Sequence, residues 1–233
     1  MAEWRVNRDG RAMDDVVIVG AGGHGKVVLD VLLAERRYRP VGFVDADPKL
    51  TDAYVGGLPV LGSVNSLTRL RRERLRHAIV AIGDNLARLR YATLLREEGF
   101  TLVSAVHPTA SVSPSATLGD NVVVCAQAAV VCEARVGAAA IVNTGAVVDR
   151  ECVVGDGVHV CPGAVLAGRV RVGRGAFVGI GAQVIQCRTV GRFAIVGAGA
   201  AVIDDVPDFA TVVGVPARII RTAGVELAEA AAV

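Results

Sequence analysis

From Val106 to Val202 every sixth residue is Val or Leu without a break, seventeen positions in which only Leu118 and Leu166 are not Val. Few folds can accommodate that rule. A strand alternates faces every two residues and an α-helix returns every ~3.6, so neither alone demands a strict six. A period of six arises when a short strand plus a turn makes one side of a prism and the next strand begins the next side. Three such units, 18 residues, close one triangular coil, and stacked coils make a parallel β-helix. Val-Gly-Asp-Gly-Val-His (154–159) and Val-Gly-Arg-Gly-Ala-Phe (172–177) show the unit: an aliphatic residue aimed inward, then Gly where the chain turns.

So narrow an interior favours Val and Ala over rings, in keeping with 4% aromatic residues and 27 Gly in a chain that is 52% hydrophobic. The net charge of +2 is too small to attract nucleic acid. The densest basic run, Arg69 to Arg76, is interleaved with Leu67, Leu70 and Leu75 and reads as the solvated face of an amphipathic helix. No 18-residue apolar run and no signal-type segment occurs, so the reading is a soluble cytoplasmic protein with no membrane insertion. All five Cys fall in the repeats. Cys125 and Cys161 sit two coils apart in one column, about 10 Å, too far for a disulfide. They are expected to be reduced packing residues.

Ahead of the repeats the pattern changes. The 233 residues suffice for two modest domains. Residues 1–13 read as a loose extension, 14–104 as a small α/β domain, 105–221 as the β-helix and 222–233 as a tail. Within the α/β domain, strands are expected at Val16–Val19, Val41–Val44 and His77–Ile82. Helices are expected over 24–37, 64–76 and 85–98. That alternation gives a Rossmann-like parallel sheet with its ligand at the carboxyl ends of the strands.

The turn after the first strand, Gly20-Ala21-Gly22-Gly23-His24-Gly25, satisfies G-x-G-x-x-G between a strand and a helix. Backbone N–H groups and a helix N-terminus can there approach an anion closely. Asp45 ends the second strand, where dinucleotide enzymes hold a ribose. Taken alone, this turn points to a dinucleotide oxidoreductase. Yet about 90 residues are too few for both mononucleotide halves, and a pyrophosphate site has no need of His24 inside the turn. A second Gly turn, Gly83-Asp84-Asn85, should lie beside the first.

A short α/β domain carrying Gly-Ala-Gly-Gly-His-Gly, followed by a hexapeptide β-helix, resembles the NeuD/PglD-like bacterial sugar acetyltransferases. The resemblance covers roughly residues 14–221. It includes His107-Pro108-Thr109-Ala110, the run Asn143-Thr144-Gly145-Ala146-Val147-Val148 and the ending Gly214-Val215-Pro216-Ala217-Arg218. It implies a left-handed β-helix, a homotrimer, acetyl-CoA as co-substrate and no metal. The implied acceptor is a nucleotide-linked amino sugar of bacterial glycan biosynthesis. By position, Gly22, Gly23, His24, Asp45, Ala46 and Gly83 would contact that sugar nucleotide. His159, Gly168, Ile180 and Ala198 would contact acetyl-CoA.

One rung departs from the family. Its motif after Asn-Thr-Gly-x-Val-Val is Asp-His-Asp/Glu-Cys, with the His as general base; this chain has Asp149-Arg150-Glu151-Cys152. A guanidinium stays protonated and cannot accept a proton. Glu151 remains and is expected to pair with Arg150. Gly168 stacks one coil above Arg150, and its amide can serve as oxyanion donor. Three readings stay open: an N-acetyltransferase whose amine nucleophile arrives partly deprotonated, one in which His159, Asp149 or Glu151 takes the proton, and a catalytically impaired chain that still binds CoA or nucleotide-sugar. A sialic-acid-type O-acetyltransferase is the alternative that most needs the missing base. His77 and His107 read as surface and junction residues, and only His107 and His159 fall in the helix, too few for a zinc hydratase.

Overall fold

A computed structural model of the chain describes residues 12–222; the expected extension as far as residue 11 and the tail from residue 223 lie outside the described residues. The chain divides into two compact units, Met1–Pro108 and Thr109–Val233.

The first unit is built on β1 (Asp14–Val19), α1 (Gly23–Glu35), β2 (Tyr38–Val44), a two-strand flap of β3 (Tyr54–Val55) and β4 (Leu58–Pro59), α2 (Leu67–Arg72), β5 (His77–Val80), α3 (Asn85–Glu97) and β6 (Thr101–Leu102). The sheet order is β2-β1-β5-β6, all parallel. β1 is central, so Val16 to Val19 form a continuous apolar run with 0–1% exposure, as a strand covered on both faces requires. α1 stops at Arg36, which takes a left-handed conformation and returns its N–H to the Leu32 carbonyl. The expected helix over 64–76 is shorter: residues 64–66 form a 3₁₀ turn and only Leu67–Arg72 is α-helical. Leu67, Leu70 and Leu75 are buried beneath the arginines.

The second unit is the three-sided β-helix. Its rungs are two-residue strands, each paired in parallel with the strand 18 residues on, as Ala129 with Val147, Val153 with Arg171 and His159 with Phe177. The first face carries Val123–Val124, Ile141–Val142, His159–Val160 and Phe177–Val178; the chain then turns to the second face (Val147–Val148, Val165–Leu166) and to the third (Val153–Val154, Arg171–Val172). The sixfold aliphatic column is the interior: Val148, Val160, Leu166, Val178 and Val196 are 0% exposed. Each such side chain contributes about 1.5–3 kcal/mol by burial. A second inward column two residues earlier is narrower, as in Ala140, Ala146, Cys152, Ala164 and Ala176.

The turns are more uniform than the sequence. Every sixth residue from Asn121 to Gly199 has φ between 52° and 68°, whether it is Gly145, Glu151, Arg169, Cys187 or Phe193. The Gly that follows the inward aliphatic residue has another task. A Cβ on Gly155 would lie 2.7 Å from the Arg174 amide of the next coil, so stacking distance sets that choice. Cys125, Cys152 and Cys161 pack inside, but Cys132 and Cys187 are exposed at corners rather than packed. Among the described residues no helix is long and apolar enough to cross a membrane.

Candidate functional site

In the first unit the glycine turn is held from β2. Gly20 N–H donates to the Val44 carbonyl (2.8 Å) and Ala21 N–H donates to Asp45 Oδ2 (2.6 Å). Asp45 Oδ1 accepts from Asp47 N–H at 2.8 Å, so this carboxylate fixes the turn and its own loop. A side chain on Gly25 would collide with the Gly20 carbonyl, whereas one on Gly22, Gly23 or Gly83 would meet nothing within 4 Å. Gly25 therefore serves close packing, and the other three leave backbone bare toward open space. The structure brings Gly22, Gly23, His24, Asp45, Ala46 and Gly83 together as walls of one cleft of about 300 Å³ beyond the carboxyl ends of β1, β2 and β5.

His24 stands at the first turn of α1, facing this cleft. Burial, and then the charge of Arg88, push its pKa down to about 4. At neutral pH it is an uncharged imidazole, offering one donor and one acceptor. Arg88 itself is 0% exposed, yet the sequence reading passed over it. A signal was present: 88, 92 and 95 follow helical spacing, and Ala92 and Leu95 are core.

In the second unit the corner between the second and third faces holds Arg150, Glu151 and Gly168. A Cβ on Gly168 would lie 2.9 Å from Arg150 Cζ, so the guanidinium rests directly against that glycine. Arg150 Nη1 reaches Asp149 Oδ2 at 3.3 Å and its Nε lies 4.0 Å from Glu151 Oε1. The side chain is 51% exposed. Beneath it Cys152 donates its S–H to the Ala167 carbonyl (3.1 Å), and burial pushes its thiol pKa up. Cys152 is thus a neutral packing group and not a nucleophile.

His159, Ile180 and Ala198 lie elsewhere on the prism. His159 begins a first-face strand, while Ile180 (61% exposed) and Ala198 stack at the corner between the first and second faces. One chain therefore does not bring them to Arg150. Asn143 fixes His159. Asn143 Oδ1 accepts from Thr144 N–H (2.8 Å), so its other terminal atom is the NH₂ group, 3.0 Å from His159 Nε2. The amide NH₂ therefore faces Nε2 and engages its lone pair. The ring edge also meets Phe177, with centroids 5.4 Å apart. The sequence reading gave Asn143 no such role, although coil arithmetic puts 143 almost one full turn below 159.

Comparison with known proteins agrees with this layout. The PglD N-terminal domain family matches residues 15–95. The perosamine N-acetyltransferase of Caulobacter crescentus, solved in complex with CoA and GDP-perosamine as a variant with one histidine replaced by asparagine, is 46% identical. The match covers 90% of this chain and 98% of that one, with a TM-score of 0.86. The chain belongs to the NeuD/PglD-like sugar acetyltransferase family. The acetyltransferase domain of PglB from Neisseria gonorrhoeae FA1090, in complex with acetyl coenzyme A, is 38% identical over 90% of this chain and all of that one, with a TM-score of 0.83. UDP-N-acetylbacillosamine N-acetyltransferase of Bacillus subtilis (strain 168) is 40% identical over 118 residues, 49% of this chain; the chain spans about half the length (52%) of that curated relative. The surroundings of Arg150 are Gly168, the carboxylates of Asp149 and Glu151, and solvent.

Proposed function

We propose that this protein transfers an acetyl group from acetyl-CoA to the amino group of a nucleotide-linked sugar in bacterial glycan biosynthesis, as a cytoplasmic homotrimer. The observation that carries the reading is near full-length similarity to an N-acetyltransferase solved with CoA and a nucleotide amino sugar. The sugar nucleotide takes the glycine-walled cleft, where the bare backbone of Gly22, Gly23 and Gly83 lets its phosphates approach. Acetyl-CoA takes the β-helix, its pantetheine arm along Ile180 and Ala198 and its thioester at a Gly168 corner. A trimer is what brings the first-face edge of one subunit to the Arg150 corner of another.

The amine nitrogen attacks the thioester carbonyl carbon, the C–S bond breaks, CoA leaves as thiolate, and the amine proton passes to the thiolate or to solvent. The protein supplies positioning and charge. Gly168 N–H, which no described group accepts, donates to the developing oxyanion. Arg150 adds a fixed cation beside it. Where the resemblance implies a proton acceptor, this chain would place a charge stabiliser. His159 is a poor replacement base, because its Nε2 lone pair already accepts from Asn143. An alcohol acceptor needs a base far more than an amine does, so the reading favours N- over O-acetylation.

Thiol release from acetyl-CoA, followed with GDP-, UDP- and dTDP-linked amino sugars, tests this. Turnover by the wild-type chain is expected with one of them. Silence from wild type together with turnover by Arg150→His would show that the chain lost its activity with its base.

A further inference from the structure

Among the described residues Arg88 is the one charged side chain that is fully enclosed. Its surroundings are built around the charge. Nη1 donates to the carbonyl oxygens of Ile82 (2.8 Å) and Gly83 (3.1 Å), and Nη2 donates to Asn85 Oδ1 (2.8 Å). The adjacent Asp84 caps α3 by accepting from Ala87 N–H at 2.7 Å. The carbonyl oxygens of the loop after β5 are thus drawn inward onto the guanidinium. What Gly83 presents to the cleft is bare backbone, with nothing within 4 Å of where a side chain would start. A guanidinium is expensive to enclose. A neutral residue could tie the same turn, but it would put no positive potential under the cleft.

We propose that Arg88 is a positioning residue of this cleft: through the Ile82-Gly83 carbonyls it sets the cleft wall, and its enclosed charge selects a diphosphate ligand over less charged ones. This rests on reading the cleft as the nucleotide-sugar site. Arg88 never touches the ligand. Its charge acts at short range through a water-poor interior, where it is screened far less than a surface cation. The titratable groups that line the cleft with His24 are Asp45 from the end of β2 and Tyr91 from α3, and the charge that acts on its ring is that of Arg88. Burial and Arg88 together keep His24 uncharged, so the cation under the cleft is the permanent one and not a pH-dependent imidazolium.

The test is calorimetric binding of GDP, UDP and dTDP, and of the matching monophosphates, to wild type, Arg88→Lys and Arg88→Met, alongside an NMR titration of the His24 ring. Wild type should bind one diphosphate in clear preference to its monophosphate. Arg88→Lys keeps the charge but not the fork, and should bind that diphosphate about tenfold more weakly, with the His24 titration still near its wild-type position. Arg88→Met should lose the preference for the diphosphate and shift the His24 titration upward with the melting temperature and the His24 ring contacts kept, which separates loss of the charge from loosened packing around the ring. Should Arg88→Met not fold, Arg88→Lys decides through affinity alone. Wild-type preference and affinity retained in Arg88→Lys, or an unmoved His24 titration in Arg88→Met, would overturn the inference. So would equal wild-type affinity for diphosphate and monophosphate, with nucleotide binding itself intact. Binding of none of the three nucleotides by wild type would remove the nucleotide reading itself, and this inference with it.

Discussion

Replacing Arg150 by Ala removes a charge from the corner without touching the backbone that makes it. The guanidinium carbon sits 2.9 Å from the point where a side chain on Gly168 would begin. An oxyanion accepting from the Gly168 amide would therefore form about 5 Å from that charge. At 5 Å a unit charge contributes between about 0.8 kcal/mol in water and about 3.3 kcal/mol at an effective dielectric of ~20. Arg150 is 51% exposed and shares its charge with Asp149 and Glu151, so the lower half of that range applies. That is ~1–2 kcal/mol, or roughly a tenfold fall in kcat. The effect belongs to the transition state, so KM for the amino sugar should stay within about twofold. Thiol release measured over a range of sugar concentrations separates the two constants. The pH profile adds a second check. With no enzymic base, the rate should rise with pH as the substrate amine deprotonates and then level off. An Arg150→Ala enzyme as fast as wild type, or a wild-type profile showing an enzyme base titrating near neutrality, would refute the role assigned to this arginine.

Other consequences follow from the same geometry. Gly22→Val puts a side chain into open cleft space at φ −76°, a conformation Val accepts, so nucleotide-sugar affinity should fall at least about tenfold while the melting temperature stays within about 2 °C. Gly25→Ala drives a methyl into the Gly20 carbonyl and should destabilise the first unit by about 2 kcal/mol or more in urea unfolding. His24 titrates near 4 folded and near 6.5 unfolded, so the unfolded chain takes up the proton first as pH falls. Relative to His24→Gln, wild type should lose up to about 3 kcal/mol of stability between pH 6.5 and 4 and none above that window. At the corners, Gly145→Ala should cost about 1 kcal/mol from its φ of 65° alone, and Cys187→Gly, at φ 60°, should return a similar amount.

The β-helix was legible because its interior is a one-dimensional rule: one aliphatic residue per side, with no alternative register that buries the same column. The left-handed corners were not, because Glu151, Arg169, Cys187 and Phe193 share with Gly145 a backbone imposed by the coil and not by their own preference. In the α/β unit, the six residues assigned to the cleft by resemblance do line one cavity. Arg88 was missed because an arginine on a surface helix reads as solvated until its neighbours on the buried face are counted. The partition of Arg150 and His159 onto different edges followed from their half-coil spacing. Asn143 needed side-chain geometry, since only the Thr144 N–H contact orients its amide toward His159.

The proposed reaction passes an acetyl group from acetyl-CoA to a sugar amine. NMR of the product formed by the wild-type chain from acetyl-CoA and a nucleotide amino sugar reads the new bond directly. An acetamido group on the sugar nitrogen and one equivalent of free CoA are expected. An acetyl ester on a sugar oxygen, or intact acetyl-CoA with every amino sugar offered, would contradict it.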